Sequence, residues 1–353
     1  MSSDVEAIIV AGGFGTRLKP LTTRHPKHLL NVGGVPFLEH QITRLAQAGV
    51  QHIVLATSYQ ADRFEPVLGD GSRWGVRLDY VQEEEPLGTA GAIRNVAGSL
   101  SPDPDGAVVI LNGDILSGHD LQAQLADFDR PRSGEQVDVS LHLVEVPDAR
   151  PFGCVPTDDS GRVTGFVEKS DHPVTNQVNA GCYVFRRRVI EEIPPDQVVS
   201  VELDTFPALV EDGRLVVGFV DTAYWRDVGT PAALVAASRD LVLGVAASPA
   251  VEAEPDGASV APGAKVSETA TVNGGSVVAD GAVVGDDAVV SGSVLMDRSV
   301  VGAGAVLTDS VVGPGAHIGA GAVLTGVTVG DDASLADGVE VRDERVDCGT
   351  TVG

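Results

Sequence analysis

The 353-residue sequence is poor in basic residues, in cysteine and in long apolar runs. It has 24 Lys and Arg against 50 Asp and Glu, a formal net charge of −26, whereas nucleic acids and anionic membranes bind cationic surfaces. Its three cysteines lack metal-ligand spacing and indicate neither a disulfide framework nor a zinc site. No apolar run approaches the roughly 20 residues that cross a bilayer, and the N-terminus has no signal-peptide pattern. These absences predict a cytoplasmic protein that binds neither nucleic acid nor membrane.

The first two thirds of the sequence alternate between short β-rich runs and helical stretches. Such alternation, from Val5 to about Gly244, is typical of a mostly parallel sheet covered by helices. In such sheets ligands bind outside the carboxyl ends of the strands. The predicted strands are Ala7–Ala11, His52–Thr57, Ala107–Asn112, Val137–Val146 and Arg162–Val167, and the predicted helices are Leu38–Ala48, Thr89–Ala97, Leu121–Phe128 and Pro231–Leu243.

A repeat fills the C-terminal part of the chain. Aliphatic residues recur every six residues from Val260 to Val341, except for five-residue steps at 290–295, 307–312 and 324–329. Because the shortened steps are 17 residues apart, we infer coils with three flat sides, in which the same corner is shortened in each turn. The pattern predicts a left-handed parallel β-helix of hexapeptide repeats. We therefore expect an α/β domain at 1–248, a linker at 249–259 and a β-helix domain at 260–353.

A Gly-rich loop follows the first predicted strand. Residues 12–18 read GGFGTRL, with Leu18 where a dinucleotide-binding fingerprint needs Gly, and without the Lys-Ser or Lys-Thr of a Walker loop. The glycines would let backbone N–H groups approach phosphates, and Arg17 offers a forked donor to a triphosphate. Taken alone, the loop fits a phosphate site and a tight strand-to-helix turn equally well.

The residues after this loop make the pattern more specific. The run from Gly12 to Lys27, followed by Gly33–His40, resembles the sugar-phosphate nucleotidyltransferase family, and the resemblance extends to about residue 240. It implies a Rossmann-like mixed α/β sheet and an enzyme in which a sugar 1-phosphate attacks the α-phosphorus of a nucleoside triphosphate and expels pyrophosphate. Six further landmarks occur in family order, namely Pro86–Gly91, Asn112–Asp114, Phe152–Gly153, Phe166–Lys169, Asn179–Gly181 and Trp225–Thr230.

The resemblance implies roles for individual residues. Arg17 would hold the pyrophosphate and Lys27 the α-phosphate, while Asp114 and Asp227 would bind Mg²⁺, which one or two carboxylates typically hold together with substrate phosphates. The other implied contacts are Ala11, Gly12, Gly13, Gly15, Thr16, Glu83 and Gly88 for the nucleotide, and Gly153, Glu168, Lys169 and Asn179 for the sugar phosphate.

The segment around Glu83 bears on the base and on the sugar. Three successive glutamates, followed by Pro86–Gly91, resemble the guanylyltransferases of mannose 1-phosphate. Guanine presents its N1 and N2 donors together, which one carboxylate can accept. GTP and mannose 1-phosphate are therefore the expected substrates. Glucose, heptose or cyclitol 1-phosphates, such as valienol 1-phosphate, stay open as alternative substrates. The reason is His28, which replaces a small or apolar residue of relatives. We expect His28 either to point to solvent or to alter sugar-phosphate contacts.

Two other functions are compatible with parts of the sequence. An acyltransferase activity of the β-helix would use His317, which we expect instead to be a surface residue. A non-catalytic subunit that senses nucleotide sugars would not need Arg17, Lys27, Asp114 and Asp227, yet all four are present. The flat faces and open coil ends of a β-helix favour a homo-oligomer, whether that domain is regulatory or only an assembly module.

Overall fold

The computed structural model describes residues 5–167, 169, 171–254 and 257–353. Within these ranges the chain divides into two compact units, one containing residues up to 13 and 42–225, the other containing 14–41 and 226–353. The loop residues from Phe14 onward thus group with the C-terminal residues. The division into 1–248, 249–259 and 260–353 stays a prediction.

A mixed sheet forms the centre of the first unit. In the described ranges its strands are β1 (Glu6–Ala11), β2 (His52–Thr57), β3 (Arg77–Gln82), β4 (Ala107–Asn112), β5 (Val139–Glu145), β6 (Gln177–Arg186) and β7 (Val216–Asp221). Their spatial order is β7-β5-β6-β4-β1-β2-β3. Strand β6 is antiparallel to both neighbours, and the other adjacent pairs are parallel. The predicted mixed α/β sheet is therefore confirmed.

The predicted helices occur within two residues of their expected ends. The helices are α1 (Phe37–Gln47), α2 (Glu65–Leu68), α3 (Gly88–Asn95), α4 (Leu121–Phe128), α5 (Arg187–Glu192), α6 (Phe206–Glu211) and α7 (Pro231–Val242). The strand predicted at Arg162–Val167 is wrong. Val163 and Val167 form isolated bridges to Thr157 and Cys154, and Arg162 forms one to Val217, so no continuous ladder develops.

The strand register brings several loops to one edge of the sheet. Ala11 at the end of β1 pairs with Thr57 at the end of β2, which in turn pairs with Gln82 at the end of β3. On the other side of β1, Val10 pairs with Asn112, the last residue of β4. Because these strands are parallel, the loops that follow them all leave at their carboxyl ends, where ligands bind in open α/β sheets.

A polar cluster that sequence reasoning missed is buried in the first unit. Asp221, the last residue of β7, accepts hydrogen bonds from His119 Nδ1 at 2.6 Å and from His142 Nε2 at 3.0 Å. The two imidazole rings stack with their centroids 3.7 Å apart, and one ligand atom from each of the three residues lies within 4.8 Å of the others. Although burial opposes it, the two imidazole hydrogen bonds hold the pKa of Asp221 well below its usual range, and burial lowers the pKa of His142.

We expect Asp221→Asn to lower the free energy of unfolding by about 3 kcal/mol, because it removes the charged acceptor of two buried imidazoles. The folded-state pKa of Asp221 is depressed, so its contribution is present above the ordinary aspartate pKa of about 4 and is lost as the pH falls further. Urea unfolding at neutral and acid pH should therefore show a difference between variant and wild type that shrinks in acid. Asp148→Asn, which removes an exposed partner of Arg150, is the control and should leave the unfolding midpoint near that of wild type.

The second unit begins with short turns and a hairpin. Three 3₁₀ turns, at Thr16–Leu18, Leu21–Thr23 and Lys27–Leu29, precede the hairpin strands Asn31–Val32 and Val35–Pro36. At the hairpin tip, Gly33 N donates to Ser238 Oγ of α7 at 3.1 Å, and a Cβ on Gly33 would lie 2.8 Å from Leu241 Cδ1. This close approach to α7 requires glycine.

Short parallel strands on three faces form the rest of the second unit, which is consistent with the predicted left-handed β-helix. Every predicted core position from Val278 to Val341 is buried in one apolar cluster. The first face contains Ser259–Val260, Val277–Val278, Val294–Leu295, Val311–Val312, Thr328–Val329 and Arg345–Val346; the second, Lys265–Val266, Val283–Val284, Val300–Val301, His317–Ile318, Ser334–Leu335 and Thr351–Val352; the third, Thr271–Asn273, Val289–Ser291, Val306–Thr308, Val323–Thr325 and Glu340–Arg342.

The shortened corner of the β-helix contains a ladder of serines. Ser276 Oγ accepts from Ser293 N, Ser293 Oγ from Ser310 N, and Ser310 Oγ from Val327 N, each at 3.1 Å. The three serines are fully buried, where a hydroxyl needs a partner, and the stacked coils supply one. The 17-residue spacing of the serines in the sequence could have revealed the ladder.

Candidate functional site

The loop after β1 lies against the ends of β2 and β3. Ser58 Oγ donates a hydrogen bond to Gly12 O. A Cβ on Gly12 would lie 3.0 Å from Ser58 Oγ and 3.4 Å from Glu83 Oε2, so the loop backbone and the Glu83 carboxylate are close neighbours. Ala11 is buried as the last residue of β1, whereas Gly13 is exposed, which leaves its backbone open to a ligand.

Glu83 is a buried acid at this edge of the sheet. Its backbone N–H donates to Thr57 O at 2.8 Å, which fixes the residue directly after β3. Burial raises the pKa of Glu83, and a hydrogen bond from the Leu87 N–H opposes that rise. Within the described part of the chain, the buried Oε1 atom has no hydrogen-bond partner. Such an oxygen is a ready acceptor for the donors of a bound molecule.

Gly88 and Thr89 fix the next loop to the segment 199–202. Gly88 has a φ of 73°, and a Cβ there would lie 2.6 Å from Val199 O. Thr89 Oγ1 accepts from Val201 N at 2.8 Å and donates to Glu202 at 3.2 Å. Gly88 is therefore required by close packing at least, and its expected contact with the nucleotide stays a prediction.

A cavity of about 220 Å³ in the first unit contains two of the predicted sugar contacts, Gly153 and Asn179. Asn179 Nδ2 donates to Tyr183 Oη at 2.9 Å, and Tyr183 Oη donates to Glu202 Oε1 at 3.2 Å. Lys169 is exposed, and Glu168 lies outside the described residues. The cavity is lined by Phe152, Gly153, Cys154, Val155, Phe166, Val167, Asn179, Glu202, Leu203 and Pro207.

Sequence reasoning missed Glu202, which lines this cavity. It follows Ser200, whose side chain caps the π-helical turn Val201–Thr205, and its carboxylate also accepts from Ser200 Oγ at 3.2 Å. In the sequence nothing distinguishes Glu202 from the other members of a set of 50 acidic residues. Only the fold brings it beside Asn179.

The second unit contains the remaining residues of the Gly-rich loop. Gly15 adopts a left-handed conformation with a φ of 61°, and a Cβ on it would lie 3.0 Å from Lys27 Cβ. Thr22 Oγ1 donates to Gly15 O at 2.8 Å and closes the turn from the other side. Thr16 and Arg17 are exposed on the 3₁₀ turn that follows. The sequence thus brings Gly15 and Lys27 together across a span of 12 residues.

Asp227 and Asp114 have the chemistry expected of Mg²⁺ ligands, because carboxylate oxygens are the donors that this ion prefers. Asp227 Oδ2 lies 3.6 Å from Arg17 Nη2, and a Cβ on Gly229 would lie 2.8 Å from Asp227 Oδ1, so glycine keeps space open beside the carboxylate. Asp114 follows Gly113, whose N–H donates to Val10 O at 2.9 Å at the end of β1. The residues present therefore fit the ion.

The structure corrects one expectation and agrees with another. His28 does not point to solvent: it is 2% exposed, because the turn Lys27–Leu29 directs its side chain inward. His317 is exposed on its β-helix strand, as expected of a surface residue. The helices within the described ranges are too short or too polar to span a bilayer.

Comparison with known families agrees with this fold. Residues 6–243 match the family model described as nucleotidyl transferase, and residues 256–352 match the one described as GMPPB C-terminal domain. The chain belongs to the nucleotidyl transferase family. Mannose-1-phosphate guanylyltransferase of Mycobacterium tuberculosis is 51% identical over 265 residues, which is 73% of this chain and 72% of that protein. Mannose-1-phosphate guanylyltransferase catalytic subunit beta of Drosophila pseudoobscura pseudoobscura is 35% identical over 65% of this chain, a match spanning 61% of that protein's length.

Solved structures show the same fold over 66% of this chain. HddC from Yersinia pseudotuberculosis, complexed with GMP-PN, superimposes with a TM-score of 0.55 at 31% identity, covering 66% of this chain and 97% of HddC. A putative glucose-1-phosphate thymidylyltransferase from Bacillus anthracis gives a TM-score of 0.58 at 24% identity, covering 66% of this chain and 93% of that one, and supports the fold alone.

We expect Gly15→Ala to reduce kcat/KM for pyrophosphate release by about 10- to 100-fold, because the added methyl group displaces Lys27 or Thr22. Gly75→Ala is the matched control. Gly75 has a φ of 72° and ψ of 22°, against 61° and 35° at Gly15, so both variants impose left-handed strain on alanine. A Cβ on Gly75 would meet no described atom within 4 Å. Equal losses in the two variants would show that backbone strain alone is responsible.

Proposed function

We propose that the protein is a Mg²⁺-dependent mannose-1-phosphate guanylyltransferase, which transfers GMP from GTP to mannose 1-phosphate and releases pyrophosphate. The observation that carries the choice of base is Glu83, a buried carboxylate beside Gly12 whose Oε1 atom has no partner in the described part of the chain. The 51% identity to the Mycobacterium tuberculosis enzyme and the GMP-PN in the HddC structure support the same base.

The hydrogen-bonding pattern of guanine suits this carboxylate. Guanine offers N1–H and N2–H donors side by side, so one carboxylate can accept both, whereas uracil and thymine place a single donor between two acceptors. A carboxylate at Glu83 would leave those pyrimidine acceptors unpaired in a buried site, which costs binding energy. The site therefore favours GTP over UTP and dTTP.

The reaction needs positioning and charge neutralisation more than proton transfer. An oxygen of the sugar phosphate, already ionised near neutral pH, forms a bond to the α-phosphorus as the bond to the β-phosphate oxygen breaks. Lys27 would hold the α-phosphate and Arg17 the leaving pyrophosphate, where negative charge builds. Asp114 and Asp227 are each proposed as ligands of Mg²⁺, which when bound supplies further neutralisation of phosphate charge. The backbone of Gly12, Gly13, Gly15 and Thr16 would donate to the triphosphate.

The cavity of the first unit is the proposed sugar site. Asn179 and Glu202 present an amide and a carboxylate that can bind sugar hydroxyl groups, and Phe152 packs edge-on against Trp225 at 5.5 Å to form an apolar wall. Gly153, Glu168 and Lys169 stay predicted contacts of the sugar phosphate. Assembly into a homo-oligomer through the β-helix and a cytoplasmic location also stay predictions.

Pyrophosphate release measured with GTP, ATP, UTP and dTTP against mannose, glucose, heptose and valienol 1-phosphates tests this proposal. We expect the highest kcat/KM with GTP and mannose 1-phosphate, and loss of activity when EDTA removes Mg²⁺. If kcat/KM is higher with another base or another sugar-like phosphate, the proposed base or the proposed sugar is wrong. Binding of GDP-mannose without activity on any pair would instead support a sensing subunit.

We expect Glu83→Gln to raise the KM for GTP by about 10- to 100-fold, because the amide accepts only one of the two guanine donors. Since the pKa of Glu83 is raised in the free protein, the KM for GTP in wild type should fall as the pH rises through that pKa and the carboxylate ionises. The variant should lack this dependence. Glu84→Gln, which changes the exposed neighbouring acid, is the control, and an equal effect there would contradict a contact between Glu83 and the base.

A further inference from the structure

A short segment joins the two cations that are proposed to bind phosphates. Arg17 and Lys27 flank residues Lys19–His25, which we call the strap. The strap belongs to the same compact unit as the β-helix. Its path therefore depends on contacts with residues more than 300 positions later in the chain.

The beginning of the strap contacts the last coil of the β-helix. Arg345 Nη1 donates to Lys19 O at 3.0 Å, and Cys348 Sγ donates to Pro20 O at 3.6 Å. A Cβ on Gly330, one coil earlier, would lie 3.0 Å from Pro20 Cβ. The backbone of the strap thus packs directly on a β-helix corner, where a larger residue at 330 would displace it.

The end of the strap is held to one corner by an ion pair from Arg24 and by a hydrogen bond between His25 and Asp331. Arg24 Nη1 lies 2.5 Å from Asp332 Oδ2, and His25 Nε2 lies 2.7 Å from Asp331 Oδ2. The two pairs differ in environment, because the Asp332 side chain is 64% exposed and the Asp331 side chain 6% exposed. Among the described residues, Asp331 Oδ1 has no hydrogen-bond partner.

A buried carboxylate with one histidine partner is a poor way to stabilise a fold. The desolvation free energy of the buried Asp331 carboxylate exceeds the free energy gained from one hydrogen bond. We therefore infer that the pair selects a single arrangement of the chain. Asp331 accepts that partner only when His25 reaches the corner. The pair therefore fixes where the strap ends, two residues before Lys27.

The corner itself is rigid, because ladder hydrogen bonds hold its backbone. Gly330 N donates to Val346 O at 2.8 Å, Asp332 N to Pro314 O at 3.0 Å, and Gly349 N to Asp331 O at 2.8 Å. Thr22 of the strap donates a hydrogen bond from Oγ1 to Gly15 O, which connects the strap to the Gly-rich loop. A continuous set of contacts thus leads from the β-helix to the phosphate loop.

We propose that the last two coils of the β-helix are a template that positions Arg17 and Lys27, with His25 and Asp331 as positioning residues. The inference rests on the proposed function for the roles of Arg17 and Lys27. It gives the β-helix a part in phosphate handling that is separate from assembly or acyl transfer.

Hydrogen–deuterium exchange of the full-length protein without substrates tests the contact directly. In Asp331→Ala we expect amides of the strap and of the turn Lys27–Leu29 to exchange at least about tenfold faster, with β-helix coils 277–318 unchanged. Asp309→Ala, which breaks the Arg239–Asp309 pair at an earlier corner of the β-helix, is the control and should leave the strap as in wild type. Unchanged strap protection in Asp331→Ala would overturn the proposal.

Steady-state kinetics test the consequence. In Asp331→Ala, kcat/KM for GTP should fall about 10- to 100-fold, while the KM for mannose 1-phosphate stays near wild type, because no residue lining the sugar cavity belongs to the strap. Asp331→Asn keeps an acceptor for His25 and should recover most of the loss. The double variant His25→Ala with Asp331→Ala should be no worse than Asp331→Ala alone.

The following results distinguish failure of the positioning role from failure of the proposed function. Additive losses in the double variant, or losses in which the KM for mannose 1-phosphate rises in parallel, would overturn the positioning role. Faster exchange throughout the β-helix coils in both Asp331→Ala and Asp331→Asn would also overturn it, because Asp331 would then stabilise the fold alone. A wild-type protein without activity would refute the proposed function, and the exchange experiment would still decide whether the strap is held.

Discussion

Binding a triphosphate to a chain with a formal charge of −26 requires a few cations in fixed places. Long Arg and Lys side chains lose much conformational freedom when they are held, so the protein must restrict them before the ligand arrives. Gly15 lies close to the Cβ of Lys27, and Asp227 Oδ2 lies 3.6 Å from Arg17 Nη2, so each of the two cations proposed to bind phosphates has a neighbour that limits its positions. The rest of the second unit supports these two arrangements.

The first unit contributes acids and amides rather than cations, although the ligand is itself anionic. Parallel strands of equal register deliver Gly12, Glu83 and Asp114 to one edge of the sheet. Glu83 is buried there, which raises its pKa, and its Oε1 atom has no hydrogen-bond partner among the described residues. Specificity for a base therefore leaves the free protein with a carboxylate that is not fully hydrogen-bonded, and such destabilised groups are common in binding sites.

Sequence patterns predicted the elements that depend on local periodicity. The ends of β1, β2 and β4, the helices α1, α3, α4 and α7, and the β-helix core follow from spacing within one element, whereas α2, α5 and α6 were not predicted. Features that depend on distant partners were missed. His119 and Asp221 are 102 residues apart, Glu202 meets Asn179 only in the fold, and the inward direction of His28 follows from a 3₁₀ turn that no spacing reveals.

The β-helix is suited to act as a template because each of its coils is bonded to the coils on either side. In such a solenoid the stability of a coil depends on its neighbours and on any further contact that it makes. The strap supplies that contact at 330–332 and 345–348. The same contacts join the last coils to the segment between Arg17 and Lys27, so loosening those coils would also loosen the strap.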